Sequence, residues 1–317
     1  MIRQNVLLKD YSNYKIGGPA SYFLEISTKT DLVNGLKEWE EISSNFPEDK
    51  KRIFVLGKGT NVLIDDTGFD GLVIHNNIGG LERKEDDLVV GAGVLVSDII
   101  NYCIENSLSG FEWAGGLPGT IGGAVRGNAG AFGGETKDSV KDVTSLNADT
   151  LKEKVRDRLS CSFYYRHSVF KGDAKNEIIL SVTLQFKKGN GELIKNSVQE
   201  KIDYRVRRHP IEYPNIGSIF KNVKTEKVPK EQRGELMPFV KNDPFPVIPA
   251  AKLLFLSGVT GKKERGAQVS EKHPNFIVNL GNAAAKDVKS LIAFAKGEVF
   301  KKFGIELEEE IMYLGGR

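Results

Sequence analysis

The sequence predicts an α/β protein of more than one domain, and three observations carry that reading. At 317 residues the chain exceeds what one ordinary core encloses. Its N-terminal half alternates short apolar, β-branched runs with segments of helical period. After a charged, proline-punctuated stretch, the C-terminal third returns to strand and amphipathic-helix patterns.

Taken in order, "KTDLVNGLKEWEEI" has helical spacing at Leu32, Leu36 and Trp39. "RIFVLG" (52–57), "GLVIHN" (71–76) and "DLVVGAG" (87–93) read as strands. In "VSDIINYCIENS", Val96, Ile99, Ile100, Cys103 and Ile104 mark one helical face, and Ser97 is the expected N-cap. "VKDVTSLNA" and "NEIILSVTLQFKKGNGE" read as two further strands, the second ending in a polar glycine turn. Residues 202–215, with five charges, two prolines and no clean period, read as a junction between domains. Residues 223–249 carry five of the eleven prolines and nine charges, so a long loop is expected, acting either as a lid with Phe239 or Phe245 over substrate or as a disordered insertion. "HPNFIVNL" reads as a strand, "AAAKDVKSLIAFAKGEVFKKFG" as a helix stopped by Gly304, and "IELEEEIMYLG" as a closing strand.

Composition narrows the function classes. With 40% hydrophobic and 27% charged residues the chain reads as globular, its opening lacks the apolar core of a secretory signal, and no apolar run is long enough to span a bilayer. Two cysteines make no disulfide framework: Cys103 belongs to a core face and Cys161 has no C-x-x-C partner. A cytoplasmic protein is expected. His75, His167, His209 and His273 are too scattered in sequence for a metal site. A net charge of +3 gives no electrostatic case for nucleic-acid binding. "YRVRRHP" fits either an attractor for phosphates or a solvated basic patch.

Two glycine segments carry the chemistry. "GGLPGTIGGAVRGNAGAFGGE" (115–135) holds nine glycines in 21 positions, a density that weakens helix and strand alike unless the backbone must turn tightly or touch a ligand. "VLGKGTNVLIDD" (55–66) sets Gly57 and Gly59 directly after a strand. A dinucleotide fingerprint fails there, because the third glycine is missing and apolar "NVLI" follows where a helix must start. Two readings stay open for it, a glycine hairpin turn or a nest of N–H groups with Thr60 and Asn61 around a diphosphate. The longer segment fits a second cradle, with Pro118 stiffening one turn and Thr120 and Asn128 offering side-chain hydrogen bonds.

Seven motifs occur in order over nearly the whole chain: "NYKIGGPA", "LGKGTNVLI", "GLPGTIGGAVRGNAGAFGGE", "YYRHSVFK", "IEYPNIGSIFKN", "GAQVSEKHPNFIVN" and "GIELEEEIMYLG". Together they resemble the UDP-N-acetylenolpyruvoylglucosamine reductases, FAD enzymes that use NADPH to complete UDP-N-acetylmuramate for bacterial cell walls. The resemblance implies a two-lobed FAD-binding module of the vanillyl-alcohol-oxidase/PCMH type plus a C-terminal α+β substrate domain. The expected bounds are residues 1–80 and 81–207 for the two lobes, 208–305 for the substrate domain and 306–317 for a closing strand bearing a catalytic glutamate. FAD contacts carry over to Gly57, Lys58, Gly59, Thr60, Asn61, Leu117, Pro118, Gly119, Thr120, Gly122, Gly123, Asn128 and Gly130. Arg126 and Gly127 depart from the family, which has a larger apolar pair there.

For the reaction, the resemblance assigns Ser218 in "GSIF" as proton donor, Arg166 in "YYRHS" as partner of the substrate carboxylate, and Glu310 in "LEEEIM" as catalytic glutamate. Tyr165, Lys221, Asn222 and Gln268 are implied substrate contacts. On residue grounds alone Ser218 reads as a turn residue, Arg166 as half of a surface ion pair, and 308–310 as a solvated edge. Strand alternation leaves Glu308 as the rival of Glu310. The short spacing from Arg166 to Ser218 resembles the subclass without the tyrosine-bearing loop. Two rival functions stay open, another FAD-dependent oxidoreductase with the same flavin module and a flavin-binding protein without catalysis. No metal and no obligate protein partner are expected.

Overall fold

The computed structural model describes residues 1–85 and 87–316; Asp86, inside the expected 81–207 lobe, and Arg317, at the end of the expected closing strand, lie outside them. The chain forms two compact units. The first comprises Met1–Val6, Ala20–Lys58 and Asp70–Tyr204, and the second comprises Leu7–Pro19, Gly59–Phe69 and the described chain from Arg205 onward.

The first unit carries a four-stranded sheet in the order Arg3–Leu7, Pro19–Ile26, Phe69–Asn76, Ile53–Leu56. The last two strands run parallel. Helix Lys29–Ser43 covers the sheet because Leu32, Leu36 and Trp39 fall on one face, and they share a core with Leu24, Ile26, Leu72 and Ile74. Thr28 caps this helix, its side chain accepting from Asp31 N–H while the Asp31 carboxylate accepts from Thr28 N–H.

A five-stranded sheet follows in the order Glu153–Asp157, Val140–Asn147, Glu177–Gln185, Asp87–Gly91, Leu81–Lys84, antiparallel throughout. Its core takes in Val96, Ile99, Ile100 and Cys103 of helix Val96–Glu105, as the sequence spacing predicts. Ser97 does not cap that helix. Helical geometry begins at Val96, whose N–H donates to Gly119 O at 3.0 Å, so a carbonyl of the glycine segment replaces the side-chain cap. A second departure is helix Gly191–Arg208, which starts directly after Gly189 and Asn190 of the expected glycine turn and takes up half of the expected junction. Only Ile194 and Val198 are buried on it, too few to print a period on the sequence.

The second unit has its own core, built from Tyr14, Ile16 and Leu63 together with apolar residues between Ile216 and Ile311. Helix Ala285–Phe303 contributes Val288, Leu291, Ile292, Ala295 and Val299 and ends on Gly304 in the left-handed conformation, φ 65°. Residues 223–249 are not a structureless loop. Val223–Lys224, Pro246–Ile248 and Lys241–Asn242 form a three-stranded sheet, with Val223 and Leu236 in the core. Phe239 lies under the Lys252 ammonium at 4.0 Å and Phe245 near Lys224 at 5.3 Å. The closing strand is also shorter than expected: it is Met312–Leu314, parallel to Val62–Ile64, preceded by an isolated bridge at Glu309.

Folding brings two of the scattered histidines together. The rings of His209 and His273 cross at 5.2 Å, each packed on Phe276. Among the described residues no group of three or more His, Cys, Asp or Glu could hold a metal. Burial pushes His209 down to about 3, with His273, Arg205 and Lys272 adding to the effect, and pushes His273 down to about 4. Both rings are neutral in the fold at pH 7, so protons bind the unfolded chain preferentially below its histidine pKa. Stability is therefore expected to fall as pH drops from 6.5 toward 4, by up to about 2 kcal/mol for each ring at pH 5. Urea unfolding across that range, compared between the native chain and His209→Gln, checks it; an unchanged acid slope in the variant contradicts it.

Candidate active site

The candidate residues fall in both units. In the first, the backbone from Gly119 to Gly122 is stitched to the segment after strand Asp87–Gly91. Ile121 N–H donates to Val94 O and Gly122 N–H to Ala92 O, both at 2.9 Å. The glycine segment then forms a short helix, Ile121–Gly127, where an irregular cradle was expected. Ile121, Ala124 and Val125 are its buried face at i, i+3, i+4, a period hidden in the sequence by glycine density. Thr120 is its N-cap, Oγ1 accepting from Gly123 N–H at 3.3 Å.

What would sit against each glycine separates two reasons for the missing side chains. A Cβ on Gly57 would lie 2.8 Å from Thr120 Oγ1, and one on Gly122 would lie 3.0 Å from Ala92, so both are demanded by packing. Gly123 is different. It is exposed, and a Cβ there would meet only Thr120 Oγ1, at 3.5 Å. Its bare backbone has no cause within the protein fold and suits a flat or anionic group lying on the main chain. The open backbone at Gly123 is compatible with FAD; nearby in sequence, Leu117 is half-buried, Pro118 is exposed, and Lys58, after Gly57, is exposed.

Arg166 sits at the tip of a tight reversal. Tyr164 and His167 exchange both main-chain hydrogen bonds, 3.0 and 3.2 Å, and their rings stack at 4.0 Å. Arg166 itself has φ 57°, a strained value for a side chain of its size. The end of the glycine segment holds this tip. Asn128, fully buried, donates from Nδ2 to Tyr164 O at 3.1 Å, while Arg166 Nη2 donates to Gly130 O at 2.9 Å. Asn128 Oδ1 also accepts from Lys137 N–H, so this amide braces the segment. Tyr165 lies beside the arginine, its ring 5.2 Å from the guanidinium carbon.

In the second unit, Gly59 has φ 60° and is backed by Tyr11 O, which a Cβ would meet at 2.6 Å. Thr60 and Asn61 follow, both half-buried. Asn61 has a task that no local motif discloses: Nδ2 donates to Glu310 O at 3.2 Å, and its carbonyl accepts from Met312 N–H at 2.9 Å. Glu310 N–H in turn donates to Ile219 O at 2.8 Å, and Phe220 forms a bridge with Glu309. Ser218 and Glu310, 92 positions apart, therefore lie on adjacent main-chain segments.

Two members of the acidic run are held by lysines. Glu308 pairs with Lys227 and, at 3.4 Å, with Lys221, and the Lys227 ammonium holds its carboxyl below the usual range. Glu309 pairs with Lys296 at 2.8 Å and accepts from the Tyr313 hydroxyl. Glu310, half-buried like Glu309, meets the residue after Ser218 through its main chain. Two expected substrate contacts have structural bonds as well. Asn222 Oδ1 accepts from Ala250 N–H at 3.1 Å, and Gln268 Nε2 donates to Gly261 O and Glu271 at 3.3 Å.

Residues 209–314 match the family described as UDP-N-acetylenolpyruvoylglucosamine reductase, C-terminal domain, and residues 36–151 match an FAD binding domain. A UDP-N-acetylenolpyruvoylglucosamine reductase of Caldanaerobacter subterraneus is 33% identical over 98% of this chain and 93% of its own. One from Agathobacter rectalis is 36% identical over 98% and 93%. The crystal structure of the reductase from Thermus caldophilus superposes with a TM-score of 0.76 at 28% identity, covering 99% of this chain and all of the other.

Proposed function

The chain belongs to the UDP-N-acetylenolpyruvoylglucosamine reductase family, and from that premise we propose how its residues divide the reaction. It is an FAD-dependent oxidoreductase that reduces UDP-N-acetylglucosamine enolpyruvate to UDP-N-acetylmuramate with NADPH, in peptidoglycan precursor synthesis. When bound, FAD would relay one hydride, which carries both electrons of the reduction, from NADPH to the enolpyruvyl double bond. The glycine segment 117–123, with Gly57, Lys58, Gly59, Thr60 and Asn61, holds the cofactor against its main chain, while the N–H groups of Leu117, Ile121, Gly122 and Gly123 stay in the protein's own hydrogen bonds. Asn128 and Gly130 brace the end of that segment.

Reduction adds a hydride to one carbon of the double bond and a proton to its neighbour. The Ser218 hydroxyl gives that proton. Arg166 grips the substrate carboxylate with its planar fork and meets the negative charge as it develops. Glu310 is the second acid–base group, and Tyr165, Lys221, Asn222 and Gln268 orient the nucleotide sugar. The observation that carries this assignment is the 2.8 Å bond from Glu310 N–H to Ile219 O, which couples the two acid–base segments across the sequence.

The reading as some other FAD oxidoreductase has no support, since 209–314 matches the reductase's own C-terminal domain. No helix among the described residues is long and apolar enough to cross a membrane. We place the enzyme in the cytoplasm, where nucleotide sugars and NADPH are found. Purified protein is expected to show a flavin absorption band that NADPH bleaches and the enolpyruvyl sugar restores. A colourless protein that takes up no added FAD contradicts the proposal.

A further inference from the structure

We infer that Asn275 is a positioning residue for proton transfer, acting through the main chain that carries Ser218. The inference rests on the assignment of Ser218 as the proton donor. Asn275 lies in "HPNF", and no motif reading gives it a chemical task.

Asn275 is 3% exposed, and every polar group of its side chain is directed at one residue. Oδ1 accepts from Phe220 N–H at 2.9 Å, and Nδ2 donates to Phe220 O at 2.8 Å. Its carboxamide thus pairs with Phe220 as a neighbouring strand would, satisfying both main-chain groups of a buried residue. The Asn275 carbonyl adds a third bond, accepting from Ile219 N–H at 2.8 Å.

The other side of the same segment is pinned to the acidic run. Ile219 O accepts from Glu310 N–H at 2.8 Å, and Lys221 N–H donates to Glu308 O at 2.9 Å. Residues 219–221 are therefore clamped between Asn275 and 308–310. The residue just before the clamp is Ser218, preceded by Gly217 at φ 81°. Asn215 Oδ1 accepts from Gly217 N–H at 3.0 Å on the approach to Ser218, and the clamp fixes the chain on its other side, so the two together set where the hydroxyl lies.

A general acid works only within hydrogen-bond reach of the atom it protonates, and a shift of about 1 Å costs roughly 10²-fold in rate. Losing the carboxamide removes the two bonds to Phe220 but leaves the Ile219 bond, which depends on main chain alone. The segment loosens without detaching.

The test compares Asn275→Ala and Asn275→Asp with Ser218→Ala and with the double variant Ser218→Ala/Asn275→Ala, all as holoenzymes. Asp keeps the acceptor for Phe220 N–H and sets a carboxylate oxygen against Phe220 O, so the shape persists while one bond is lost. Flavin content, melting temperature and the two half-reactions are measured. Both Asn275 variants are expected to bind FAD and to be reduced by NADPH at the native rate. Reoxidation by the enolpyruvyl sugar should slow by about 10–10²-fold.

The double variant decides between positioning and general weakening. If Asn275 acts through Ser218, adding Asn275→Ala to Ser218→Ala slows reoxidation little further. Multiplying effects, normal reoxidation in folded Asn275 variants, or failure of both variants to fold would each overturn the inference. Normal reoxidation in Ser218→Ala identifies a different failure, that of the proton-donor assignment itself.

Discussion

Ser218→Ala is expected to bind FAD, accept electrons from NADPH at nearly the native rate, and then stall. Flavin reduction needs only the bound cofactor and access for the nicotinamide. Reduction of the enolpyruvyl group also needs a proton delivered to the carbon beside the one that takes the hydride. Removing a positioned general acid costs about 10²–10⁴-fold in that step. Stopped-flow absorbance separates the two half-reactions, so a folding defect cannot imitate the pattern. Ser218 is half-buried, and its loss leaves the Ile219, Phe220 and Lys221 main-chain bonds in place. Rapid reoxidation in the variant means that another group supplies the proton.

The second large effect belongs to Gly123→Val. The space above Gly123 is open, with Thr120 Oγ1 at 3.5 Å as the nearest atom a Cβ would meet. Valine is also a better helix residue than glycine, by a few tenths of a kcal/mol. The apoprotein is therefore expected to keep or slightly raise its melting temperature. Crowding of a ligand on that backbone costs about 1–3 kcal/mol, which weakens FAD binding roughly 10–100-fold. Flavin content after gel filtration, measured beside circular dichroism, checks both halves. A folded variant that retains stoichiometric FAD removes Gly123 from the cofactor surface.

Local pattern alone makes much of the fold legible. Leu32, Leu36 and Trp39 announce the first helix, and the face from Val96 to Ile104 announces the second. Gly304 marks the end of the last helix by the backbone conformation it adopts there. What stays hidden depends on partners distant in the chain. Helix Gly191–Arg208 buries too few residues to show a period, and the sheet in 223–249 is held by pairings such as Val223 with Ile248. The Val96 helix start is satisfied by Gly119, a residue no local rule would consult.

The site divides the same way. Its residue types are legible through motifs, since glycine density, "YYRHS" and "GSIF" are local strings. Its bracing is not. Asn61, Asn128 and Asn275 each use a side-chain amide on main chain far away, at Glu310, Tyr164 and Phe220. Asparagine in a loop signals only a turn until its partner is known. The lysines at 221 and 227, which pair with Glu308, are likewise invisible in the acidic run itself.

One product measurement bears most directly on the whole account. The enzyme is incubated with NADPH and UDP-N-acetylglucosamine enolpyruvate in deuterated water, and the product is analysed by mass spectrometry. Delivery of one hydride through FAD and one exchangeable proton from a serine hydroxyl predicts UDP-N-acetylmuramate. It should carry solvent deuterium at the carbon protonated by Ser218, and its formation should be abolished on the same time scale in Ser218→Ala. No reduced sugar, or a reduced sugar without solvent deuterium at that carbon, contradicts it.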